Sequence, residues 1–182
     1  MVELDGFLPG FQTKEFKKGE MLLRPGEKSK TAFLVVKGCL KSYFTDDAGK
    51  EYIMQFAPEG WAISDMNSIV NNVPGTIFID AIEDTEVRLM NLPFLPADSE
   101  MPNMVPVDFV NKLVNSIIAA NKRMALLLSS TAEERYINFI DTYPALANRI
   151  SLKLIASYIG ITPEYLSEIR NKMAKKQIHF VS

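Results

Sequence analysis

Short apolar runs separated by regularly spaced turn residues fill the first half of the chain and most constrain its fold. These runs are residues 21–23, 32–37, 39–45, 51–56, 76–81 and 85–91. Between them, glycines recur every seven to twelve residues, at positions 19, 26, 38, 49 and 60. Short strands punctuated in this way are typical of an antiparallel sandwich or barrel. The pattern therefore predicts an antiparallel roll.

A helical pattern follows Pro93 and Pro96, where apolar residues begin to recur every three or four positions. Between Pro106 and Ser129 there is no glycine or proline. A seam with alternating steps of four and three residues consists of Val110, Val114, Ile117, Asn121, Met124 and Leu128. Such a seam predicts a two-stranded coiled coil, in which a polar Asn fixes the register, and therefore a homodimer. The alternative is a helix that packs on its own sheet, with Asn121 at the edge.

A further helix is expected to begin after Thr131. Thr131 and Glu134 have the spacing of a capping box, in which each side chain bonds the other residue's backbone amide. This helix is expected to run to about Asp141 and to end before Tyr143 and Pro144.

Residues 150–173 have the spacing of a helix-turn-helix. Ser151 is expected to cap a first helix, whose buried face consists of Leu152, Ile155, Ala156 and Ile159. Gly160 supplies the turn, and Thr162 caps a second helix that has Pro163 at its first position. The inner stripe of this second helix consists of Leu166, Ile169 and Met173. A plain helical hairpin is the alternative, but Ala at the crossing and Gly at the turn favour a helix-turn-helix.

The outer face of the second helix carries the predicted DNA-binding residues. They are Thr162, Glu164, Ser167, Glu168, Asn171, Lys172 and Lys175. Glu accepts from a cytosine amino group, Asn pairs with adenine, Ser bonds to any base, and lysines contact phosphates. Arg170 is expected closer to the apolar side. The alternative is a solvated face, on which the glutamates only favour the positive end of the helix dipole.

The net charge of −2 conceals an asymmetry along the chain. Residues 1–150 carry 15 Lys and Arg against 20 Asp and Glu, whereas residues 151–182 carry five against two. A basic segment on an acidic body predicts contact with a polyanion. A solvated charged helix is again the alternative.

Composition excludes several functional classes. The chain has 47% hydrophobic and 23% charged residues, which is typical of a soluble globular protein. A single cysteine, Cys39, and a single histidine, His179, exclude disulfide frameworks and metal sites that need several such ligands. We therefore expect no metal and no enzymatic activity. No apolar run is long enough to span a bilayer and the first residues do not form a signal peptide, so we expect a cytoplasmic protein without a membrane partner.

With a roll, a long helix and a helix-turn-helix in this order, the chain resembles the cyclic-AMP receptor protein family, the CRP/FNR superfamily of bacterial transcription regulators. The resemblance lies in FKKGEMLLRPGEKSKTAFLVVKGCLKSYF, EDTEVRLMNLPF and AEERYINFI. It implies an α+β fold with an N-terminal antiparallel β-roll, similar to a cyclic-nucleotide-binding jelly roll, a dimerisation helix and a C-terminal helix-turn-helix with a truncated wing. The corresponding segments are residues 1–105, 106–129 and 130–182. Members of the family are dimers that bind two-fold sites on double-stranded DNA and respond to small effectors.

The stretch WAISDMNSIVNNVPGTIFIDA corresponds to the family's nucleotide cassette but departs from it. Nucleotide-binding members have a Gly-Glu pair, whose Glu holds the ribose hydroxyl, and an Arg-Ser or Arg-Thr pair, whose Arg neutralises the phosphate. Ser64-Asp65 and Gly75-Thr76 stand in these places, so the arginine is absent and cyclic AMP is not expected as a cofactor. The resemblance implies an effector pocket of Trp61, Ser64, Asp65, Gly75, Thr76 and Asn121. Alternatively, Trp61 is a core side chain and Asp65 caps a helix beginning near Met66.

The leading hypothesis is a dimeric DNA-binding transcription regulator whose degenerate sensor responds to an unknown effector or to none. We expect the DNA-reading pair to shift between two orientations about residues 129–131, with RNA polymerase as a further partner. The second hypothesis is a small-molecule-binding roll that acts through protein contacts and has lost DNA binding. The acidic outer face favours this second hypothesis, as does the ending IHFVS, which leaves at most one strand of the usual wing. Iron–sulfur and heme sensing are excluded because the chain has too few cysteines and the roll has no histidine.

Overall fold

Eight short strands form two four-stranded sheets. The computed structural model describes residues 12–91 and 107–179. The strands are β1 (Gln12–Phe16), β2 (Met21–Leu23), β3 (Thr31–Lys37), β4 (Leu40–Thr45), β5 (Glu51–Ala57), β6 (Ala62–Ile63), β7 (Phe78–Ala81) and β8 (Thr85–Asn91). One sheet has the order β1-β8-β3-β6, and the other has the order β2-β7-β4-β5. Strand β8 pairs antiparallel with β1 and β3, β6 with β3, and β7 with β2 and β4, so the predicted antiparallel roll is confirmed.

Side chains from both sheets bury one hydrophobic cluster. Phe33 and Val87 come from the first sheet, whereas Leu40 and Ile79 come from the second. Because successive side chains of a strand point to opposite faces, a slip of one residue would turn these apolar side chains to the other face. The cluster therefore fixes the register of the strands.

The described residues also form five helices. They are α1 (Met66–Asn71), α2 (Val107–Ser129), α3 (Ala132–Thr142), α4 (Leu152–Ile159) and α5 (Pro163–His179). Helix α2 begins next to Pro106 and ends at Ser129, as its spacing predicts. Helix α1 begins where the capping alternative for Asp65 expects it. Strands β1 and β6 were not predicted, because β1 is mostly polar and β6 has only two residues.

The described part of the chain divides into two compact units. The first is drawn from Met1–Phe44 and Met54–Ser116, and it contains α1 and most of the roll. The second is drawn from Thr45–Ile53 and Ile117–Ser182. It contains the end of α2, helices α3 to α5, and the tip of the hairpin that joins β4 to β5.

A capping box closes the step from α2 to α3, as predicted. The Thr131 hydroxyl accepts from the Glu134 amide at 3.3 Å, and the Thr131 amide donates to the Glu134 carboxylate at 2.7 Å. The Thr131 amide and the Thr131 hydroxyl both donate to the Glu134 carboxylate, which favours its charged form and holds the pKa of Glu134 below its ordinary value. Helix α3 then ends at Thr142, before Tyr143 and Pro144.

Helices α3, α4 and α5 pack around a small apolar core. Its buried side chains are Tyr136, Phe139, Ile155, Ala156, Ile159, Leu166 and Ile169. Ser151 caps α4 by accepting from the Leu154 amide at 3.4 Å. Gly160 ends α4 with φ 73°, a left-handed conformation that glycine adopts without strain, and the Ile161 amide donates back to Ala156. The predicted helix-turn-helix therefore forms at the expected residues.

Helix α5 continues beyond Met173 to His179. No described residue after Met173 therefore forms a strand of a wing. Residues 180–182, the rest of the predicted truncated wing, lie outside the described residues.

Candidate nucleic-acid interface and effector cassette

Helix α5 presents an exposed polar face opposite its buried stripe. The Thr162 hydroxyl caps the helix by accepting from the Tyr165 amide at 3.2 Å. Leu166 and Ile169 are buried against the rest of the helix-turn-helix core. The predicted DNA-binding residues that the structure leaves exposed on this helix are Glu164, Glu168, Asn171, Lys172 and Lys175. The cap and the buried stripe together fix which side chains point outward.

Two of the side chains predicted to contact DNA already bind other groups within the protein. The Ser167 hydroxyl donates to the Pro163 carbonyl at 3.0 Å, so its hydrogen atom is used within the helix. The Lys172 ammonium lies 3.3 Å from the Glu133 carboxylate of α3, with 63% of the lysine side chain exposed. A phosphate would therefore have to compete with Glu133 for this lysine. Exposed ion pairs of this kind contribute little, so the competition is weak.

Two large exposed side chains of α5 were absent from the predicted set. Tyr165 is 50% exposed at the third position of the helix. Arg170 is exposed as well, although it lies closer to the apolar side, where the sequence placed it. At about 100° per residue, Tyr165 lies at the edge of the outer face beside Lys172, whereas Arg170 lies beside the apolar stripe. A wider arc around the outer face would have included Tyr165.

Arg135 of α3 joins the hinge to the turn of the helix-turn-helix. Its guanidinium donates to the Ser130 carbonyl at 2.7 Å and to the Ile159 carbonyl at 2.8 Å. Ile159 is the last residue of α4, where carbonyls lack partners within the helix and the helix dipole is negative. Arg135 thus satisfies this helix end and fixes it to the predicted pivot at residues 129–131.

The predicted seam on α2 is an exposed apolar stripe. The exposed fractions are 46% for Val114, 59% for Ile117, 57% for Met124 and 84% for Leu128. Asn121 is also exposed, between Ile117 and Met124. Val110 lies on the same helix, but its side chain lies outside the described residues. Large apolar side chains this exposed along one helix face typically mark an interaction surface.

Asp65 is buried at the start of α1, where both of its carboxylate oxygens accept hydrogen bonds from backbone amides. One oxygen accepts from the Ser68 amide at 3.0 Å and caps the helix. The other accepts from the Thr76 amide at 2.9 Å. The side chain therefore bridges the two pairs that correspond to the nucleotide-binding pairs of the resembling family. The capping alternative for Asp65 is confirmed.

Gly75 packs directly against this carboxylate. A Cβ atom at position 75 would lie 2.9 Å from the Asp65 carboxylate and 3.3 Å from the Glu27 carbonyl. The backbone of Gly75 also bonds the β2–β3 loop, donating to Glu27 and accepting from Gly26, both at 2.9 Å. A side chain such as arginine therefore has no room here unless Asp65 moves.

The other predicted pocket residues have mixed surroundings. Trp61 is half-buried and packs against the core of the roll, which agrees with its core alternative. Ser64 is half-buried and Thr76 is exposed. Asn121 belongs to the second compact unit.

A cyclic nucleotide fits this cassette poorly. The phosphate would meet no arginine, and the amides of Ser68 and Thr76 already donate to an internal carboxylate. The carboxylate would also repel the phosphate, because both carry negative charge. The residues present therefore do not provide the anion site that the resemblance implies.

Metal-ligand groups and membrane-spanning helices are both absent from the part of the chain that the structure describes. Within residues 12–91 and 107–179, no three His, Cys, Asp or Glu side chains are grouped so that they could hold a metal ion. None of the described helices combines the length and apolar character needed to cross a bilayer.

Known relatives of this sequence are named as regulators. Residues 13–95 match the family model of the cyclic nucleotide-binding domain. The chain is 27% identical over 180 residues to the fumarate and nitrate reduction regulatory protein of Yersinia pestis, an alignment that covers 91% of this chain and 70% of the relative. It is 28% identical over 179 residues to electron transport regulator A of Shewanella oneidensis, with 89% and 68% covered. The structure of FixK2 from Bradyrhizobium japonicum has a TM-score of 0.75 at 22% identity, and the match covers 93% of this chain and 87% of that one.

Proposed function

Because this chain is a member of the CRP/FNR superfamily, we propose that it is a dimeric transcription regulator that binds double-stranded DNA through α5. Its relatives are named as regulators and not as enzymes, in agreement with the expectation from composition. Such a regulator acts in the cytoplasm, with RNA polymerase as the expected further partner. The roll, in this proposal, senses an unknown effector or none, and does not bind a cyclic nucleotide.

The exposed outer face of a capped and packed α5 carries the DNA-binding proposal. Leu166 and Ile169 bury the inner face of the helix, so the opposite residues are held toward solvent. In helix-turn-helix proteins, side chains near the start of this helix reach base edges in the major groove. Glu164, Glu168 and Asn171 suit base edges, whereas the lysines farther along suit phosphates.

The exposed stripe of α2 supports a homodimer. Pairing two copies would remove the seam side chains from water, which stabilises association by about 25 cal/mol for each Å² of apolar surface buried. Asn121, inside the seam, favours two strands in one register. A two-fold dimer presents two copies of α5, and it therefore suits DNA half-sites about one helical turn apart.

The contacts of Asp65 within the cassette support a regulator that does not need a cyclic nucleotide. Asp65 already occupies the amide donors that an anionic ligand would use. Any other effector acts only if it binds one orientation of the DNA-reading helices better than another. Residues 129–131 are the proposed pivot, and the Arg135 contact to Ser130 supports this assignment.

DNA binding is tested by its salt dependence. Fluorescence anisotropy with a duplex pool would be recorded at several salt concentrations for the wild type, Lys172→Ala and Lys175→Ala. If each lysine neutralises one phosphate, each variant lowers the slope of log affinity against log salt by about one unit. Lys28→Ala is the matched control, because Lys28 is an exposed lysine of the roll, and it should leave the slope unchanged.

Two outcomes would count against the proposal. Equal slopes for all four proteins would show that the lysines of α5 do not contact phosphates. Failure of the wild type to bind any duplex at low salt would favour the second hypothesis, a roll that acts through protein contacts.

A further inference from the structure

The tip of the β4–β5 hairpin, residues 45–53, is an ordered part of the same compact unit as the helix-turn-helix. Asp46 organises the turn by accepting from the Ala48 amide at 3.0 Å and from the Lys50 amide at 2.9 Å. The Tyr52 hydroxyl donates to the other oxygen of Asp46 at 3.0 Å. The tip therefore has a defined shape.

Ser157 of α4 bonds the edge of this hairpin. Strand β5 is the last strand of its sheet, and an edge strand leaves backbone groups without a ladder partner. The Ser157 hydroxyl donates to the Glu51 carbonyl at 2.8 Å and accepts from the Ile53 amide at 3.2 Å. The Ser157 side chain of α4 thus bonds backbone groups of β5 in the way that a neighbouring strand would.

Arg123 of α2 completes this junction. Its guanidinium donates to the Ile53 carbonyl at 2.9 Å and to the Tyr158 carbonyl at 2.8 and 3.0 Å. It also lies 4.4 Å from the centre of the Tyr158 ring, in a cation–π contact. Burial lowers the pKa of Arg123 from its ordinary value, although an arginine stays protonated at neutral pH. Its charge therefore faces the negative end of the α4 dipole.

Neither contact is needed to build the helix-turn-helix itself. The core of that motif is apolar and includes Ile155, Ile159 and Leu166. Ser157 instead bonds β5, and Arg123 of α2 bonds both β5 and the end of α4. Their common effect is to fix the position of α4 relative to the dimerisation helix and the hairpin tip.

We infer that Ser157 and Arg123 are positioning residues, which latch the DNA-reading helices to the edge of β5 and hold them in the orientation that binds DNA. The orientation assigned to DNA binding rests on the proposed function, whereas the latch itself does not.

Hydrogen exchange at the Ile53 amide tests the latch without DNA. Ser157→Ala removes the acceptor of this amide, so its exchange should become at least about tenfold faster. Alanine is a better helix former than serine, so α4 itself is not weakened. Arg123→Gln should speed the same amide by a smaller factor. The control is Ser151→Ala, which removes the cap of α4 but no bond to β5, and it should leave the Ile53 amide unchanged.

DNA affinity tests the orientation. Ser157→Ala and Arg123→Gln should each weaken binding to duplex DNA by about fivefold or more, with an unchanged salt slope because neither residue contacts phosphate. Unchanged exchange at Ile53 in Ser157→Ala would overturn the latch. Faster exchange with equal or tighter DNA binding would overturn the orientation assigned to it. A wild type that binds no DNA would refute the proposed function, while the exchange result would still decide the latch.

Discussion

Two N-terminal helix caps in this protein have opposite consequences. Thr162 caps α5 with a neutral hydroxyl, and the charged residues of that helix remain exposed. Asp65 caps α1 with a carboxylate that is 4% exposed and also bonds the Thr76 amide. The comparison teaches that a binding motif needs hydrogen-bond donors that are still available to a ligand. In the cassette, the Ser68 and Thr76 amides already donate to Asp65.

The largest expected effect concerns the seam, since DNA reading should depend on a second copy and not on the cassette. Ile117→Glu places a charge in the predicted seam, where pairing would bury it without a partner. We expect a monomer by sedimentation and a loss of DNA affinity of about a hundredfold, because only one half-site is then held at a time.

Ile118→Glu is the matched control for the seam. Ile118 is 58% exposed, almost the same as Ile117, but it lies one position off the seam. It should remain a dimer and bind DNA. A dimer in Ile117→Glu, or a monomer in both variants, would contradict the assigned seam.

A smaller effect is expected in the cassette, where Gly75 and Asp65 should be coupled. Gly75→Ala puts a Cβ atom 2.9 Å from the Asp65 carboxylate, and overpacking of this kind costs about 1–3 kcal/mol. In an Asp65→Ala background the same change should cost clearly less. Urea denaturation of the four proteins measures this double-mutant cycle.

Additivity in that cycle would contradict the packed cassette. The same four proteins would be titrated with cyclic AMP in a thermal-shift assay. Since residues 61–81 contain no arginine and the Ser68 and Thr76 amides already donate to Asp65, we expect no shift in the midpoint of the wild type. A clear rise for the wild type would show that Asp65 yields its bonds to a ligand.

The smallest effect concerns Asp46, an exposed counterpart of Asp65. The Lys50 amide and the Tyr52 hydroxyl hold the pKa of the Asp46 carboxyl below its ordinary value. Because the folded-state pKa is the lower one, the stabilisation is present above the unfolded value of 3.8 and is lost as the pH falls through the folded value. Exchange at the Lys50 amide should therefore become less protected, relative to its intrinsic rate, only below about pH 3.8.

Asp46→Asn provides the control for this pH dependence. An amide oxygen still accepts hydrogen bonds but does not titrate in this range. The variant should lose the acid transition at the hairpin tip. A transition that persists in the variant would assign it to another carboxyl group.

Local signals in the sequence predicted much of this architecture. Ser151, Gly160 and Thr162 act on neighbouring residues, so their spacing is enough to place α4 and α5. The glycine spacing likewise predicted the roll. Asp65 was left with two interpretations, because a carboxylate that caps a helix and one that holds a hydroxyl have the same sequence pattern. Its bond to Thr76 depends on a loop closing across eleven residues.

The latch was beyond prediction from sequence. Ser157 and Ile53 are 104 positions apart, and a serine within a helix usually signifies nothing more than a tolerated polar residue. Arg123 lies outside the seam, so the spacing of apolar residues on α2 assigned it no role. Only the fold shows that both side chains meet the free edge of β5. Long-range polar contacts of this kind leave no periodic pattern in the sequence, so residue spacing does not reveal them.

The central claim is that this chain reads DNA as a dimer without a cyclic nucleotide. Selection of binding sites from a random duplex pool, with purified protein at low salt and no added nucleotide, tests it most directly. The account predicts enrichment of a two-fold motif with half-sites about one helical turn apart. Enrichment only after addition of cyclic AMP would contradict it, because the cassette would then be a working sensor.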